Sequence, residues 1–304
     1  MLVTGGAGFI GANLVRLMLN WGYRSRVLDN FSTGRREYLA GLDVEIIEGD
    51  ILDAETVARA VASVTGVVHL AAQTGVLPSL QNPQRDCEVN VVGTLNLLEA
   101  CRHSGVRRFV FASSNAPLGR QTPPATEDKA PLPISPYGAS KLAGEGYCLA
   151  YHGSWGLGTV VLRFSNIYGP FSAHKNSVVA KFFKDILATG KIVIDGDGQQ
   201  SRDLIYVGDL CRAIQLALES DAAGEVFQIA SGVETTIAHL ASLVQTVVGR
   251  DMDIQHGPQR QGDMLKNYSS VSKAKRVLGW RPATPVAEGL ALVWNWYLEN
   301  QHSM

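Results

Sequence analysis

Through residues 1–115, short runs of nearly continuous apolar residues alternate with stretches whose apolar positions recur every three or four residues. Unbroken apolar runs suit strands buried on both faces, and the longer period suits helices packed on them. The pattern predicts strands over 2–4, 25–29, 44–48, 67–71 and 108–113, and helices over 10–21, 55–63 and 84–104. This is the rhythm of βαβ units and a parallel sheet. Pro117, Pro123, Pro124, Pro131, Pro133 and Pro136 mark a loop over 116–136, after which a helix over 137–152 and a strand over 159–163 resume the rhythm. Past Pro170 the pattern is less regular, with loops at 195–203 and 257–263 and a last helix over 287–299. Trp294, Trp296 and Tyr297 in that helix are read as packing residues. The expected fold is α/β. A Rossmann-type doubly wound parallel sheet occupies 1–168, and a smaller mixed α/β substrate domain 169–304, with later strands free to join the first sheet.

Composition changes this picture little. The 304 residues are 46% hydrophobic and 18% charged, enough for a core that needs no metal or disulfide staple. A net charge of -1 gives no electrostatic case for nucleic acid or an anionic membrane. Arg102, Arg107 and Arg108 are the nearest thing to a basic cluster and read as a solvated helix end. Cys87, Cys101, Cys148 and Cys211 form no CxxC pair, so buried free thiols in the cytosol are expected. The histidines show no metal-ligand spacing, and no metal is expected. No apolar run reaches membrane-spanning length, and the glycine turn beginning at Gly5 follows Met1 too closely for a signal peptide. A cytoplasmic location is therefore expected.

Two motifs carry chemistry. The first places glycines at 5, 8 and 11, between a strand and a helix. Residues without Cβ let backbone amides approach a pyrophosphate, which the positive end of the next helix attracts. Asp29 ends the second strand. A carboxylate there accepts hydrogen bonds from adenosine ribose hydroxyls and repels a 2′-phosphate, which favours NAD over NADP. Asp50 and Ile51 follow the third strand, where an adenine ring would lie or where the chain simply turns. The second motif is Tyr137-Gly138-Ala139-Ser140-Lys141, with Tyr137 and Lys141 four apart on one helical face. A neighbouring ammonium, together with the charge of an oxidised nicotinamide, favours phenolate, so Tyr137 is expected to act as a general base near neutral pH. Ser113 and Ser114 close the fifth strand, where Ser114 either bonds the reacting oxygen or caps the strand end.

Further motifs lie in order along essentially the whole chain. They are TGGAGFIG at 4–11, LDN at 28–30, GDI at 49–51, HLAAQ at 69–73, NVVGTLNLLEA at 90–100, SPYGASK at 135–141, RFSNIYGP at 163–170, GDGQQSRDLIYVGD at 196–209 and QRQGD at 259–263. On these residues the chain resembles the extended short-chain dehydrogenase/reductases of the NAD-dependent nucleotide-sugar epimerase/dehydratase family, of UDP-glucose 4-epimerase type. The resemblance implies that Phe9 and Ile10 follow the NAD pyrophosphate. Asn30, Ser32, Thr33 and Gly34 join Asp29 around the ribose, and Asp50 and Ile51 meet the adenine. Leu70, Ala71, Ala72, Gln73 and Asn90 line the cleft with Ser113. Lys141 bridges the nicotinamide ribose. It further implies that Asn166, Arg202 and Arg260 clamp a nucleotide-sugar diphosphate and that Asp263 holds the uridine ribose. A planar guanidinium suits phosphate, although each arginine would equally serve a surface ion pair.

Departures from the family pattern bear on the reaction. Residues 113–119 lack the aromatic of the usual Ser-Ser-x-x-Val-Tyr-Gly. The related 4,6-dehydratases carry Asp-Glu where this chain has Asn115 and Ala116, and the related decarboxylases carry Glu at Ala116. Asn and Ala cannot supply the acid/base pair that elimination needs. Asn267 stands where hexose-specific epimerases carry a bulky Tyr, which leaves room for an N-acetyl group. The resemblance therefore implies NAD-dependent epimerisation at C4 of a UDP-sugar, through a 4-keto intermediate catalysed by Ser114, Tyr137 and Lys141. The sugar stays open among glucose/galactose, N-acetylhexosamine and uronic acid. The helices over 84–104 and 137–152 suggest the family's homodimer interface. A net reductase or dehydrogenase and a non-enzymatic NAD-sensing protein are the alternatives.

Overall fold

The computed structural model describes residues 1–259 and 265–301. In the first half the chain runs β1 (Leu2–Thr4), α1 (Phe9–Asn20), β2 (Arg26–Asp29), β3 (Glu45–Glu48), α2 (Ala54–Val61), β4 (Gly66–His69), α3 (Val76–Gln81), α4 (Pro83–Cys87), α5 (Gly93–His103), β5 (Arg108–Ser114), α6 (Pro136–Trp155) and β6 (Gly158–Phe164). Then follow β7 (Asn166–Tyr168), α7 (Val178–Thr189), β8 (Lys191–Asp195), β9 (Ser201–Arg202), β10 (Leu204–Tyr206), α8 (Val207–Glu219), β11 (Glu225–Ile229), β12 (Thr235–Thr236), α9 (Ile237–Val248), β13 (Asp253–Gly257), α10 (Ser272–Val277) and α11 (Val286–Asn300).

The central sheet is wholly parallel, in the order β11-β6-β5-β4-β1-β2-β3. It is an α/β Rossmann-type sheet with helices on both faces. One layer of core packs Leu14, Val15 and Met18 of α1 with Leu210 and Ile214 of α8; the other packs Val57, Leu97, Leu98 and Tyr151 from α2, α5 and α6. Chain order from the centre runs outward both ways, so loops part beside β1 and open a cleft at the carboxyl ends of the strands.

The later half does two things. α8 and β11 return to the central sheet, β11 as its edge strand. α10 also packs there through Ala274. α7, α9 and α11 build a second core, in which Phe182 and Phe183 of α7 and Leu240 of α9 meet Trp294 and Tyr297 of α11. Trp294 and Tyr297 are thus packing residues, and Phe183 stacks on Trp294. Three small pairs, β7–β10, β8–β13 and β9–β12, complete this part.

Three local differences from the sequence reading matter. The helix expected over 84–104 is broken into α4, a wide π-helical turn at Glu88–Val92, and α5. The wide turn carries Asn90, and such turns gather at functional positions. α3 was not expected because Pro78 interrupts its pattern. The strand expected over 67–71 stops at His69, leaving Leu70 and Ala71 in the loop at the cleft.

Candidate active site

The cleft begins at the turn after β1. Gly5 has φ +68°, and a Cβ there would lie 2.8 Å from the amide nitrogen of Ala71. A Cβ on Gly11 would lie 2.2 Å from the carbonyl oxygen of Gly5. Only glycine lets α1 start this close under the turn. No side chain caps the first turn of α1, so its amides face the cleft. Asp29 is buried, with one carboxyl oxygen accepting from the Ala7 amide at 2.9 Å and the other from the Phe31 amide at 2.9 Å. Burial raises its pKa and the two amides oppose that rise. A carboxylate has about four acceptor positions, so each oxygen keeps one for a ribose hydroxyl. Asn30 donates to Asp50 at 3.0 Å, and Asp50 also accepts from the Leu52 amide. Burial pushes Asp50 up, but those bonds and Arg85 outweigh it and hold its pKa low.

Beneath the turn, His69 ties three elements together. Thr94 Oγ1 donates to the Asn90 carbonyl, so it accepts from His69 Nε2, at 3.0 Å. Thr4 Oγ1 accepts from the Ala71 amide and donates to His69 Nδ1, at 2.8 Å. This chain requires a neutral imidazole protonated on Nε2. Burial, helped by the positive charge of Lys141, lowers the pKa of His69 to about 3.

Ser135 caps α6 by accepting from the Gly138 amide at 3.1 Å, and Pro136 opens the helix. This capping aims Tyr137 and Lys141 at the end of β5. Tyr137 lines the cavity beside Ser114, whose hydroxyl favours the phenolate form. Lys141 is buried, donates from Nζ to the Ala112 carbonyl at 2.9 Å, and lies over the Phe111 ring. The protein's own groups do not lower the tyrosine. Burial pushes Tyr137 up to about 12, Ser114 counteracts it, and the charge of Asp86 adds to the rise. Lys141 falls to about 8, again chiefly by burial, with Asp86 the largest opposing influence. In this environment desolvation outweighs the ammonium's pull on the phenol. Ionising this phenol near neutral pH calls for further positive charge at the site, as the sequence reading expected of an oxidised nicotinamide.

A cavity of about 350 Å³ gathers these residues. Of the residues expected around the cofactor, all but Asn90 line it: Gly5, Gly8, Phe9, Ile10, Gly11, Asp29, Asn30, Ser32, Thr33, Gly34, Asp50, Ile51, Leu70, Ala71, Ala72, Gln73, Ser113, Tyr137 and Lys141, with Ser114 beside them. Asn90 lies just behind, accepting from the Gln73 amide and donating to the Gln73 carbonyl. It braces the wall instead of forming it. A second cavity of about 210 Å³ holds Asn166 and Arg202, together with Lys181, Asp195 and Gln200. Ile167 and Ser177 line both cavities, which therefore adjoin. Asn267 lines neither, and Arg260 and Asp263 lie outside the described residues. Sequence reasoning missed Thr74, Arg85, His174 and Lys175 on the first cavity wall. His174 and Lys175 lie four and five residues past the RFSNIYGP motif, in a loop whose place on the cleft no spacing in the sequence records. At the end of β5, Asn115 donates to Ser269 at 3.0 Å and Ala116 offers no acid.

A parallel sheet with a glycine turn, an acid after the second strand and a Ser–Tyr–Lys group defines a dinucleotide-dependent short-chain dehydrogenase/reductase. Comparison with known proteins gives the family. The model of the NAD dependent epimerase/dehydratase family matches residues 1–230. A putative UDP-glucose 4-epimerase from Methanocaldococcus jannaschii is 34% identical, with all of each chain covered. The structure of a UDP-glucose 4-epimerase from Thermotoga maritima with UDP-glucose superposes with a TM-score of 0.93 at 37% identity, covering 99% of each chain. A dTDP-glucose 4,6-dehydratase from Streptomyces venezuelae with NAD bound superposes at 0.91 and 35% identity, covering 99% of this chain and 98% of the other. The chain belongs to the NAD-dependent epimerase/dehydratase family, as an extended short-chain dehydrogenase/reductase acting on nucleotide sugars. Its cofactor is NAD. The turn, the uncapped α1 amides and the Asp29 carboxyl fit that group.

Proposed function

We propose that the protein is a UDP-sugar 4-epimerase. One observation carries the choice among reactions of the family. The Ser114–Tyr137–Lys141 group is intact, while Asn115 and Ala116 stand where a dehydratase needs an acid/base pair. Bound NAD supplies a reversible hydride acceptor for C4. Tyr137 removes the proton from the sugar 4-hydroxyl as C4 is oxidised and returns it after the 4-keto sugar has turned over. Ser114 holds the reacting oxygen, beside Tyr137 on the same cavity wall. Lys141 holds the nicotinamide ribose and supplies positive charge beside the phenol. Asn166 and Arg202, in the adjoining cavity, hold the diphosphate, and Arg260 and Asp263 serve the rest of the nucleotide.

Asp29 supports NAD over NADP, because a 2′-phosphate would meet a buried carboxyl already fixed by two amides. We also assign a cytoplasmic homodimer, through the face that exposes Leu77 and Leu80 of α3, Val92, and Tyr147 and Trp155 of α6. Light scattering reads the mass directly: two chains support this face, and a monomer removes it. The function itself is tested by incubation with UDP-glucose, UDP-N-acetylglucosamine and UDP-glucuronic acid and separation of the C4 epimers. Conversion of at least one without net NADH supports the reading. Stoichiometric NADH change selects a reductase or dehydrogenase, and loss of water from the sugar selects a dehydratase.

A further inference from the structure

Asp86, on α4, is 1% exposed and belongs to none of the motifs that mark the site. One of its carboxyl oxygens accepts from Asn90 Nδ2 at 3.0 Å, and the other, Oδ2, is buried without a hydrogen-bond partner. The same Asn90 amide contacts Ser140 Oγ at 3.1 Å, and Ser140 Oγ donates to the Tyr137 carbonyl at 3.1 Å. Asp86 is thus bonded through one asparagine to the turn of α6 that carries both Tyr137 and Lys141. A buried carboxyl with an unmatched oxygen costs stability unless a charge lies near.

The groups facing Lys141 are few. From β4 comes His69, held neutral with a pKa near 3. From α6 come Tyr137, Glu145 and Cys148; burial keeps the Cys148 thiol protonated. Glu145 is already matched, because Arg163 on β6 grips both its oxygens at 2.9 and 2.7 Å and Ser113 on β5 donates to it. From α4 comes Asp86. Among the described residues, Asp86 alone of these carboxylates has no cation in contact. The ammonium of Lys141 has the Ala112 carbonyl as its bond and no carboxylate in contact.

We propose that Asp86 is the buried counter-charge of Lys141, a positioning residue that acts through it and keeps it an ammonium beside Tyr137 at working pH. Burial alone takes a fully buried lysine down by up to about 3–5 units. Lys141 stands at about 8, with Asp86 the first of the influences holding it up. The inference rests on the reading of Tyr137 and Lys141 as the reacting group, but its test does not depend on any sugar.

The test follows the side-chain Cε signals of isotope-labelled lysines in the full chain by NMR across pH, with and without NAD. The Lys141 signal is assigned by its loss in Lys141→Met. The parent should titrate near 8. Asp86→Asn should lower the midpoint by about one unit, and Asp86→Glu should restore it. In activity, the alkaline limb of the pH profile should move down by the same amount. A merely structural role would lower the rate evenly and leave both midpoints in place, and that result overturns the proposal. Should no charge-removing variant fold, a parent midpoint below about 7 would reveal a lysine without an effective counter-charge and overturn it equally. Activity retained by Lys141→Met would instead overturn the catalytic reading.

Discussion

The two adjoining cavities are built by different means. The cofactor cavity sits at the ends of parallel strands, and its key atoms are set by backbone: the Gly5 and Gly11 approaches, the amides of Ala7 and Phe31 on Asp29, the Ala112 carbonyl on Lys141. The second cavity lies among α7 and the short strands β7–β10, and it is furnished by long side chains such as Arg202 and Lys181. Chemistry common to a family is well served by the first construction, since a sheet holds backbone groups rigidly. Holding a nucleotide diphosphate, the role proposed for Asn166 and Arg202, is well served by the second, since side chains on short strands change without disturbing the sheet.

The sharpest way to break this comparison is at the reacting group. Tyr137→Phe should cut turnover on the order of 10³-fold or more while NAD still binds, read by kcat and by NAD titration. Gly11→Ala should come next. Its methyl group would collide with the Gly5 carbonyl, so NAD binding and thermal stability should fall together. In the second cavity, Arg202→Met should raise KM by about 10- to 100-fold with a smaller change in kcat. Equal loss in kcat and no change in KM would place Arg202 outside substrate binding.

A last effect, on stability and confined to acid pH, belongs to His69. Its folded pKa, about 3, lies below the unfolded value of roughly 6.5. The unfolded chain therefore takes up a proton the folded chain refuses. The stability from a neutral His69 is complete above the unfolded value and drains away as pH falls from about 6.5 towards 3. Urea unfolding between these limits should show about one more proton bound on unfolding in the parent than in His69→Gln. Equal slopes would mean that His69 is not the group refusing the proton.

The cofactor side was legible because its rules are local. Glycine spacing, an acid at a strand end and two residues four apart on a helix each leave a mark within a few positions. The π-helical turn around Asn90 left none, since the apolar period ran through it as one helix. Asp86 was invisible for a related reason. Its meaning lies in the absence of a partner and in its place beside α6, neither of which has a sequence spacing. The pKa of Tyr137 also escaped the sequence, because a four-residue spacing reports the neighbouring charge but not the depth of burial. Asn267 was expected at the sugar and lines neither cavity, a matter of loop path that no motif records.

The central claim is that hydride leaves and returns to C4 within one site, with no acid/base pair at Asn115 and Ala116 to divert it. The most direct measurement offers each member of a UDP-sugar epimer pair, in turn, to enzyme carrying only its own NAD. The account predicts that both members reach the same mixture of C4 epimers, with no net NADH and no water lost. A product accompanied by stoichiometric NADH change, or one lacking an oxygen, would contradict it.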